Sequence, residues 1–493
     1  MKPIGTITAC FPHVDEETRS ILQAVMDEAK DYNGFAELLC NKTINETVPE
    51  LLVYSAYYHA YHLLRFDLVR RLEDEGVGSD LVKPYVLLTY PWKVIDWDEF
   101  QKSISSAIKV APNDWIACQV YMLWRVDIGS TMNYPEEWTD LETLQILESN
   151  IENDEEFSYF RSGLYLIKAR ELMRDWNIEE ARTWYDRAIT NAKKHDCLVS
   201  LAAMLIDKAN MIRNINTNEA LSILKSQRSI SEKLGSIYHR ATNDATLGLI
   251  AQARGEYETA IKHTEECVSF IEPIGLKSHV DFYRLFIAAQ HNQMQNGSRA
   301  LEIVTDVLGG YQSPSPWFPY IQQTLALLNL DRIDEAAQSL DLGRDWALKS
   351  GSDNALGMIH FLEGLIHKRR CELPSAKFEL EKAHLLFRSF PSTNQTLIHL
   401  TDIEIEMFSY EKKGAEADIS GPWMKALDEQ VEEKYLPGIA SQALLLKAKF
   451  RFKQGRTSDA EKLAKMVLKT SKTSGMNYLK SMAESLLPEL LVS

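Results

Sequence analysis

The sequence has few cysteines, six among 493 residues, and no two of them form a CxxC pair. This spacing argues against a zinc cluster and against a dense disulfide framework. We expect the cysteines to be small core side chains in a reducing compartment. They are Cys10, Cys40, Cys118, Cys197, Cys267 and Cys371.

Long apolar runs are also missing. No segment reaches about 18 uninterrupted apolar residues, which is the length that a transmembrane helix needs. The first twenty residues lack the apolar core of a signal peptide. The sequence therefore predicts a cytoplasmic protein that does not span a membrane.

Basic residues are fewer than acidic ones, with 54 Lys and Arg against 70 Asp and Glu, and the net charge is −16. A chain of this charge repels phosphate backbones and anionic lipid surfaces. We therefore expect no nucleic-acid partner and no membrane partner. Apolar residues make up 45% and charged residues 25% of the chain, a balance that is typical of a folded protein.

Motifs of the common catalytic and cofactor sites are absent. The sequence has no phosphate-binding G-x-x-x-x-G-K-[ST], no dinucleotide-binding G-x-G-x-x-G, no G-x-S-x-G and no H-E-x-x-H. Distant residues can still converge in a fold, so an enzyme stays as a third hypothesis. We predict a protein that is not an enzyme and that has no cofactor and no metal ion.

Apolar residues recur at helical spacing through most of the chain, as in Ile167, Ala169, Leu172 and Met173. Short turns rich in Gly, Asn, Asp or Pro separate the helical stretches. Alternating β-branched residues are almost confined to the first ten positions, where we expect a short extended segment. The predicted fold class is all-α.

One arrangement of small residues returns about every forty positions. Gly248 precedes Ala260 by twelve residues, and Gly364 precedes Ala376 by twelve. The alanine recurs in steps of 39, 40, 40, 36 and 40 residues and then in one step of 84, about twice the others. These repeat positions are Ala181, Ala220, Ala260, Ala300, Ala336, Ala376 and Ala460.

Small side chains at a fixed interval have a packing explanation. Glycine inside a helix costs about 1 kcal/mol relative to alanine, so its use there needs a reason. Two antiparallel helices approach closely only where the residues at their crossing have little or no side chain. The sequence therefore predicts antiparallel helix pairs, stacked into an α-α superhelix, that cross at these glycines and alanines.

The repeat resembles the tetratricopeptide repeat family over roughly residues 48 to 475. The matching residues are Gly248, Gly255, Tyr257, Ala260, Ile261 and Cys267 in one copy, and Gly364, Ala376, Leu380 and Ala383 in another. The step exceeds the family's usual length of about 34 residues, which implies longer helices or loops. His291 and His367 also stand where the family has a first-helix aromatic residue. The resemblance implies a superhelix that binds a peptide or protein partner.

Repeat quality divides the chain into four segments. Residues 1–47 are predicted to be N-terminal capping helices, because an end repeat must cover an otherwise exposed apolar face. Residues 48–155 hold degenerate helix pairs, and residues 156–475 hold the regular tetratricopeptide-like superhelix. Residues 476–493 are predicted to form a C-terminal capping helix.

Two histidine clusters have the spacing of metal ligands on one helical face. His59 and His62 lie three residues apart, and His360, Glu363 and His367 share a second face. Histidines in such positions are more often packed or hydrogen-bonded than metal-bound. We therefore predict hydrogen-bond networks at both places rather than metal sites.

Positive charge concentrates near the end of the repeats. Residues 447–480 contain ten Lys or Arg and only two acidic residues, a local charge of +8. This basic face either receives an acidic peptide tail or is an ordinary solvated surface, and the second interpretation is favoured.

The first helix of each pair is expected to line the inner wall of the superhelix. Counted from the repeat glycine, the inward positions lie one and four residues after it and three and six before it. The predicted groove residues are Thr242, Leu249, Gln252, Leu285, Asn292, Ile321, Leu325, Phe361, Leu365 and Lys368, and the same rule adds Phe282 and Phe318. This wall is apolar in its middle, so it is either buried against itself or open to an apolar segment of a partner.

Two functions are compatible with such a wall. The leading hypothesis is a scaffold or adaptor that binds a peptide or helical segment of a partner protein in the concave groove. The alternative is a regulatory sensor whose superhelix closes around a small molecule or a signalling peptide. The sequence leaves the oligomeric state open.

Replacing Ala260 or Ala376 by leucine is expected to overpack the predicted helix crossing. The added carbon atoms should lower the free energy of unfolding by about 1–3 kcal/mol. Urea denaturation measures the change. Variants that unfold at the wild-type urea concentration would place these alanines away from a crossing.

Overall fold

The computed structural model describes most of the chain, and its regular structure in the described residues is helical throughout, with no β-strand. The predicted all-α fold is therefore confirmed. The described residues are 5–88, 97–127, 141–174, 177–213, 215–274, 276–310, 317–350, 353–387, 390–411, 422–434, 437–474 and 477–492.

Twenty-six α-helices follow one another along the described residues. They are α1 Gly5–Thr8, α2 Glu16–Glu28, α3 Tyr32–Asn45, α4 Glu50–His62, α5 Phe66–Asp74, α6 Lys83–Leu87, α7 Trp97–Val110, α8 Asp114–Asp127, α9 Leu141–Asn153, α10 Arg161–Arg174, α11 Ile178–Lys194, α12 Leu198–Ile212, α13 Thr217–Leu234, α14 Ile237–Ala253, α15 Tyr257–Ile271, α16 Lys277–Gln293, α17 Gly297–Gly310, α18 Trp317–Asn329, α19 Ile333–Ser350, α20 Asp353–Arg369, α21 Leu373–Leu386, α22 Phe390–Glu411, α23 Pro422–Lys434, α24 Pro437–Lys453, α25 Thr457–Ser474 and α26 Asn477–Val492. Short 3₁₀ helices cover Phe11–His13, Glu155–Phe160 and Glu272–Ile274. Among the helices of these described stretches, none combines the length and the apolar composition of a membrane span.

Successive helices pack as pairs, and each pair packs on the next. Within the pairs, α10 contacts α11, α12 contacts α13, α18 contacts α19, α20 contacts α21 and α24 contacts α25. First helices also contact each other, as α10 does α12, α18 does α20 and α22 does α24. This neighbour-to-neighbour packing is that of a helical solenoid. The predicted stacking of helix pairs is confirmed.

The turns inside five pairs share one backbone device. A residue five positions before the repeat alanine has a positive φ, between 57° and 78°. In each turn the next amide donates back to a carbonyl five residues earlier, as Glu256 does to Ala251 at 2.9 Å. This is the Schellman ending of a helix, which turns the chain sharply enough for the second helix to return along the first. The residues concerned are Gly255, Gln295, Asp331, Cys371 and Gly455.

The contacts divide the chain into two compact units. Unit 1 comprises residues 1–246 and 267–280, and unit 2 comprises residues 247–266 and 281–493. Unit 1 has one large core rich in aromatic side chains, including the fully buried Tyr32, Tyr57 and Phe100. Unit 2 has a series of smaller apolar clusters along its helix pairs. The four-segment division of the chain, with caps at both ends, stays a prediction.

The repeat positions lie where paired helices approach closely. A Cβ at Gly248 would lie 3.1 Å from the carbonyl oxygen of Ala260, and one at Gly364 would lie 3.2 Å from that of Ala376 and 2.6 Å from Cγ of Leu380. At these distances even a methyl group would push the helices apart. All nine repeat positions are buried: Ala181, Ala220, Gly248, Ala260, Ala300, Ala336, Gly364, Ala376 and Ala460.

Residues 5–8 are helical where the sequence led us to expect an extended segment. Residues Gly5–Thr8 form α1, and the Gly5 amide donates to the carbonyl of Asp196 at 3.1 Å. A Cβ at Gly5 would lie 1.8 Å from the carbonyl oxygen of His195, so glycine alone fits this approach. Helix α3 likewise contacts α13 as well as α4. The expectation was wrong because docking on the distant turn between α11 and α12, rather than local alternation, sets this conformation.

Two buried histidines of unit 1 carry no charge at neutral pH. His59 and His239 are 1% and 4% exposed. Burial lowers the pKa of His59 to about 3 and that of His239 to about 4. Nδ1 of His59 lies 2.5 Å from the Tyr32 hydroxyl, and Nδ1 of His239 lies 2.7 Å from the Ser236 hydroxyl. The hydrogen bonds satisfy one nitrogen of each ring without requiring a second proton.

Gly364→Ala is expected to lower the free energy of unfolding by about 1–2 kcal/mol, because overpacking outweighs the gain in helix propensity. Gly309→Ala is the matched control, since Gly309 is also helical but has no heavy atom within 4 Å of the new Cβ. The control should be neutral or slightly stabilising. Equal urea midpoints for the two variants would contradict the close approach of α20 and α21.

Acid is expected to destabilise unit 1 before its carboxylates are protonated. Between about pH 6.5 and pH 5 the unfolded chain binds protons at His59 and His239 that the folded chain does not, so stability falls as the pH falls. Each histidine contributes at most about 1.4 kcal/mol per pH unit. His239→Gln should make the thermal unfolding midpoint less dependent on pH over this interval. A variant with the wild-type pH dependence would show that His239 titrates alike in both states.

Candidate functional site

Four of the ten predicted groove residues are buried. Leu285, Asn292, Ile321 and Phe361 are 0%, 6%, 2% and 7% exposed. Nδ2 of Asn292 donates to the carbonyl of Gln322 at 2.9 Å, so this side chain joins the first helices of two neighbouring pairs. A partner reaches these four residues only if helices of unit 2 move apart.

The other six predicted groove residues are half-buried. They are Thr242, Leu249, Gln252, Leu325, Leu365 and Lys368. Lys368 forms a hydrogen-bonded ion pair with Asp402, which also accepts from Lys449 at 2.5 Å. Burial raises the pKa of Asp402, but the two ammonium groups more than offset it and bring the pKa to about 2. Lys368 therefore holds α20 to α22, and the role of these six residues in a groove stays a prediction.

Acidic side chains partly neutralise the basic face over residues 447–480. Lys447 pairs with Asp428 at 2.6 Å, and Lys449 lies 3.3 Å from Glu406 in addition to its contact with Asp402. Pairs of this kind reduce the charge that the basic face presents to a ligand. The pairing favours the interpretation of a solvated surface.

His360 takes part in the hydrogen-bond network that the sequence suggested. Its Nδ1 lies 2.7 Å from Glu379 and 3.2 Å from Glu363. Arg344 pairs with Glu363 at 2.5 Å and Lys382 with Glu379 at 3.0 Å. Each carboxylate thus has a cationic partner, which leaves little net negative charge to attract a divalent cation.

His367 does not join that cluster. Its Nδ1 lies 2.5 Å from Glu372 in the turn after α20. The three residues that share one helical face in the sequence are therefore divided between two separate contacts.

A partly exposed aromatic surface lies on the first helices α16 and α18 of unit 2. Phe282, Phe286 and Phe318 form it, and we call these three residues the aromatic patch. The ring centroids are 5.1 Å apart for Phe282 and Phe286 and 6.1 Å apart from each of these to Phe318. Phe282 is 44% exposed. Phe282 and Phe318 are inward positions of the repeat, so the rule that selected the groove residues also points to this surface.

Two other exposed aromatic side chains of unit 2 each have a lysine ammonium beside the ring. Phe378 is 57% exposed, but the ammonium of Lys382 lies 4.1 Å from its ring centroid. Trp346 is 44% exposed with Lys349 at 5.4 Å. In both cases the ammonium group lies within cation–π distance of the ring. In the aromatic patch, by contrast, each ring lies beside another aromatic ring.

A cavity of about 290 Å³ lies inside unit 1. Its lining comes from the first helices α10, α12 and α14, from α4 and α8, and from the 3₁₀ helix Glu155–Phe160. On α10 the lining residues Gly163, Leu166 and Arg170 follow helical spacing and so form one face. Thr242 is the predicted groove residue that lies in this lining. In unit 1, α4 and α8 therefore cover part of the wall that the first helices form.

The sequence did not single out this cavity. His62 came to attention for its spacing from His59, and it lines the cavity together with Tyr58 and Tyr61 of the same helix. The concentration of aromatic residues in "YYHAYH" was the available signal. It did not reveal that α4 would lie opposite helices more than a hundred residues later in the chain.

Neither a protein-family model nor a curated protein matches the sequence. Among solved structures, a Rap protein in complex with competence and sporulation factor is 12% identical, with a TM-score of 0.44 and coverage of 67% of this chain and 97% of that chain. Yeast Tom70 is 12% identical, with a TM-score of 0.37 and coverage of 90% and 95%. A signal-transduction ATPase with a tetratricopeptide repeat sensor, from Pyrococcus horikoshii, is 14% identical, with a TM-score of 0.35 and coverage of 97% and 65%.

Similarities at this level compare folds and nothing more. The architecture of this chain rests on its own helix contacts, its repeated turns and its buried glycines and alanines. By these features the chain is a tetratricopeptide-like stack of antiparallel helix pairs.

Proposed function

We propose that this protein is a non-enzymatic scaffold that binds an apolar segment of a partner protein on the aromatic patch of unit 2. The observation that carries the proposal is the exposure of Phe282 beside two further phenylalanine rings. Exposed apolar surface of this kind marks interaction sites more often than scattered single side chains do.

The patch has properties that favour binding. Its three rings already contact one another, so a partner does not have to pay the full entropy of ordering them. Aromatic side chains are also enriched among the residues that dominate binding energies. The complementary partner is a helix or an extended segment that presents Leu, Ile, Met or Phe side chains toward these rings.

The absence of a catalytic role is part of the proposal. Burial raises the pKa of the Cys10, Cys40, Cys118 and Cys197 thiols to about 12, which keeps them from acting as nucleophiles. Ser236 lies beside His239, but at 1% exposure its hydroxyl is closed to a substrate. These groups serve packing and hydrogen bonding in unit 1.

A second candidate function is that of a ligand-responsive regulator. The cavity of unit 1 favours it, because α4 and α8 contribute to its lining together with the first helices of later pairs. A ligand that contacts both sets of helices stabilises the arrangement in which they lie together. A regulator should become more compact on binding, as measured by small-angle scattering, whereas a scaffold should keep its dimensions.

Phe282→Ala is expected to weaken the binding of apolar peptides about tenfold or more, because it removes the exposed ring of a binding hot spot. The peptides are selected on the full-length protein from a random peptide library, and fluorescence anisotropy measures their affinities. Phe378→Ala is the control, since Phe378 is also exposed, at 57%, but lies outside the patch.

The selected peptides should carry apolar residues at helical or alternating spacing. The control should bind them with the wild-type affinity. The proposal fails if Phe282→Ala and Phe378→Ala bind the selected peptides equally well.

A further inference from the structure

The lining of the cavity of unit 1 combines aromatic rings and thioethers with aliphatic and polar side chains. Tyr58, Tyr61, Phe160 and Tyr238 contribute rings, and Met122 and Met204 contribute thioethers. Aromatic faces and edges pair favourably with other aromatic rings, and thioethers make further favourable contacts with them. The rings and thioethers therefore offer favourable contacts to a flat aromatic guest.

The charged groups at the cavity cancel each other. Nε and Nη2 of Arg170 lie 2.9 Å and 2.7 Å from Oδ2 of Asp207, and both residues line the cavity. A charged guest would have to break this pair or remain without a counter-charge in a partly dry site. A neutral guest leaves the pair intact.

The remaining polar groups donate or accept hydrogen bonds without charge. His62 and His239 line the cavity, and burial lowers the pKa of each to about 4. The Ser236 hydroxyl is hydrogen-bonded to Nδ1 of His239, so Nε2 is the ring nitrogen that a ligand would contact. Ser162 and Thr242 add hydroxyl groups to the lining. A guest with one or two hydrogen-bonding atoms is matched by these groups.

The size of the cavity is compatible with a small guest. Its volume of about 290 Å³ is at the lower end of the roughly 300–1,000 Å³ that ligand sites occupy. A benzene-sized or indole-sized group fits.

We propose that the cavity of unit 1 binds one neutral aromatic group of indole or phenol size that carries a hydrogen-bonding atom. The group is either a free small molecule or the aromatic side chain of a partner segment. This inference specifies the ligand of the second candidate function, and it concerns unit 1 alone. The aromatic patch of unit 2 is not involved.

Calorimetric titration of the full-length protein with indole tests the proposal. Indole-3-carboxylate and tryptamine carry the same ring with a negative and a positive charge, and both should bind at least about tenfold more weakly than indole because each faces the closed Arg170–Asp207 pair. Absence of heat and of any shift in melting temperature at millimolar indole overturns the proposal. Tighter binding of either charged ring also overturns it.

Ala203→Phe tests where indole binds. Ala203 is a half-buried lining residue of α12, and the new ring fills the cavity, so binding should weaken about tenfold or more. Ala253→Phe changes a half-buried alanine outside the lining and should leave binding as in the wild type. Ser200→Leu gives a second, smaller obstruction if Ala203→Phe does not fold, as judged by circular dichroism. Indole binding that survives every folded cavity variant overturns the assignment.

A blocked Gly-Gly-Trp-Gly-Gly peptide distinguishes the two sources of the aromatic group. Binding of both indole and the peptide, with both lost in the cavity variant, assigns the site to a side chain of a partner. Binding of indole alone assigns it to a free molecule. Phe282→Ala should leave indole binding unchanged, so failure at unit 1 is distinguishable from failure of the proposed scaffold function at unit 2.

Discussion

The close approach of two helices at residues with little or no side chain is the constraint on which the regular pairs depend. At Gly364 the neighbouring helix lies so near that a single Cβ would meet Leu380 at 2.6 Å. Helices can pack at this distance only because Gly364 has no side chain. The short Schellman turn after the first helix reverses the chain, so that the second helix packs against the first at the crossing. Gln295, Asp331 and Cys371 accept a left-handed conformation at this turn, although it is unfavourable for residues other than glycine.

The two units use the inner faces of their first helices differently. In unit 1 the helices α4 and α8 share a cavity lining with α10, α12 and α14, so this wall encloses a small aromatic space. In unit 2 much of the corresponding wall is closed by contacts between neighbouring pairs, as at Asn292 and Gln322. The aromatic patch stays exposed there. We propose that the same repeated element supplies a cavity for an aromatic group in unit 1 and a binding surface for a protein segment in unit 2.

Part of the candidate sites could be predicted from the sequence. The phase of the repeat selects Phe282 and Phe318, because helical periodicity fixes which residues share a face. The same rule also selects Leu285 and Ile321, which the structure shows to be buried. Periodicity could not predict their burial, since it does not say how tightly the next helix pair packs on that face. The hydrogen bonds of His360 were foreseen, whereas its partner Glu379 lies on the next helix and required the fold. The cavity could not be foreseen, since α4 and α14 are far apart in the chain.

The sequence by itself determined the helix pairs and the length of their repeat. Both follow from local rules, namely apolar spacing within a helix, small residues at a crossing and turn residues between helices, and each acts within about forty positions. The tertiary structure alone decided which inner faces are covered, where the N-terminal helices dock and which histidines lose contact with water. These outcomes depend on packing between segments far apart in the chain, where small differences in side-chain volume add up over successive pairs.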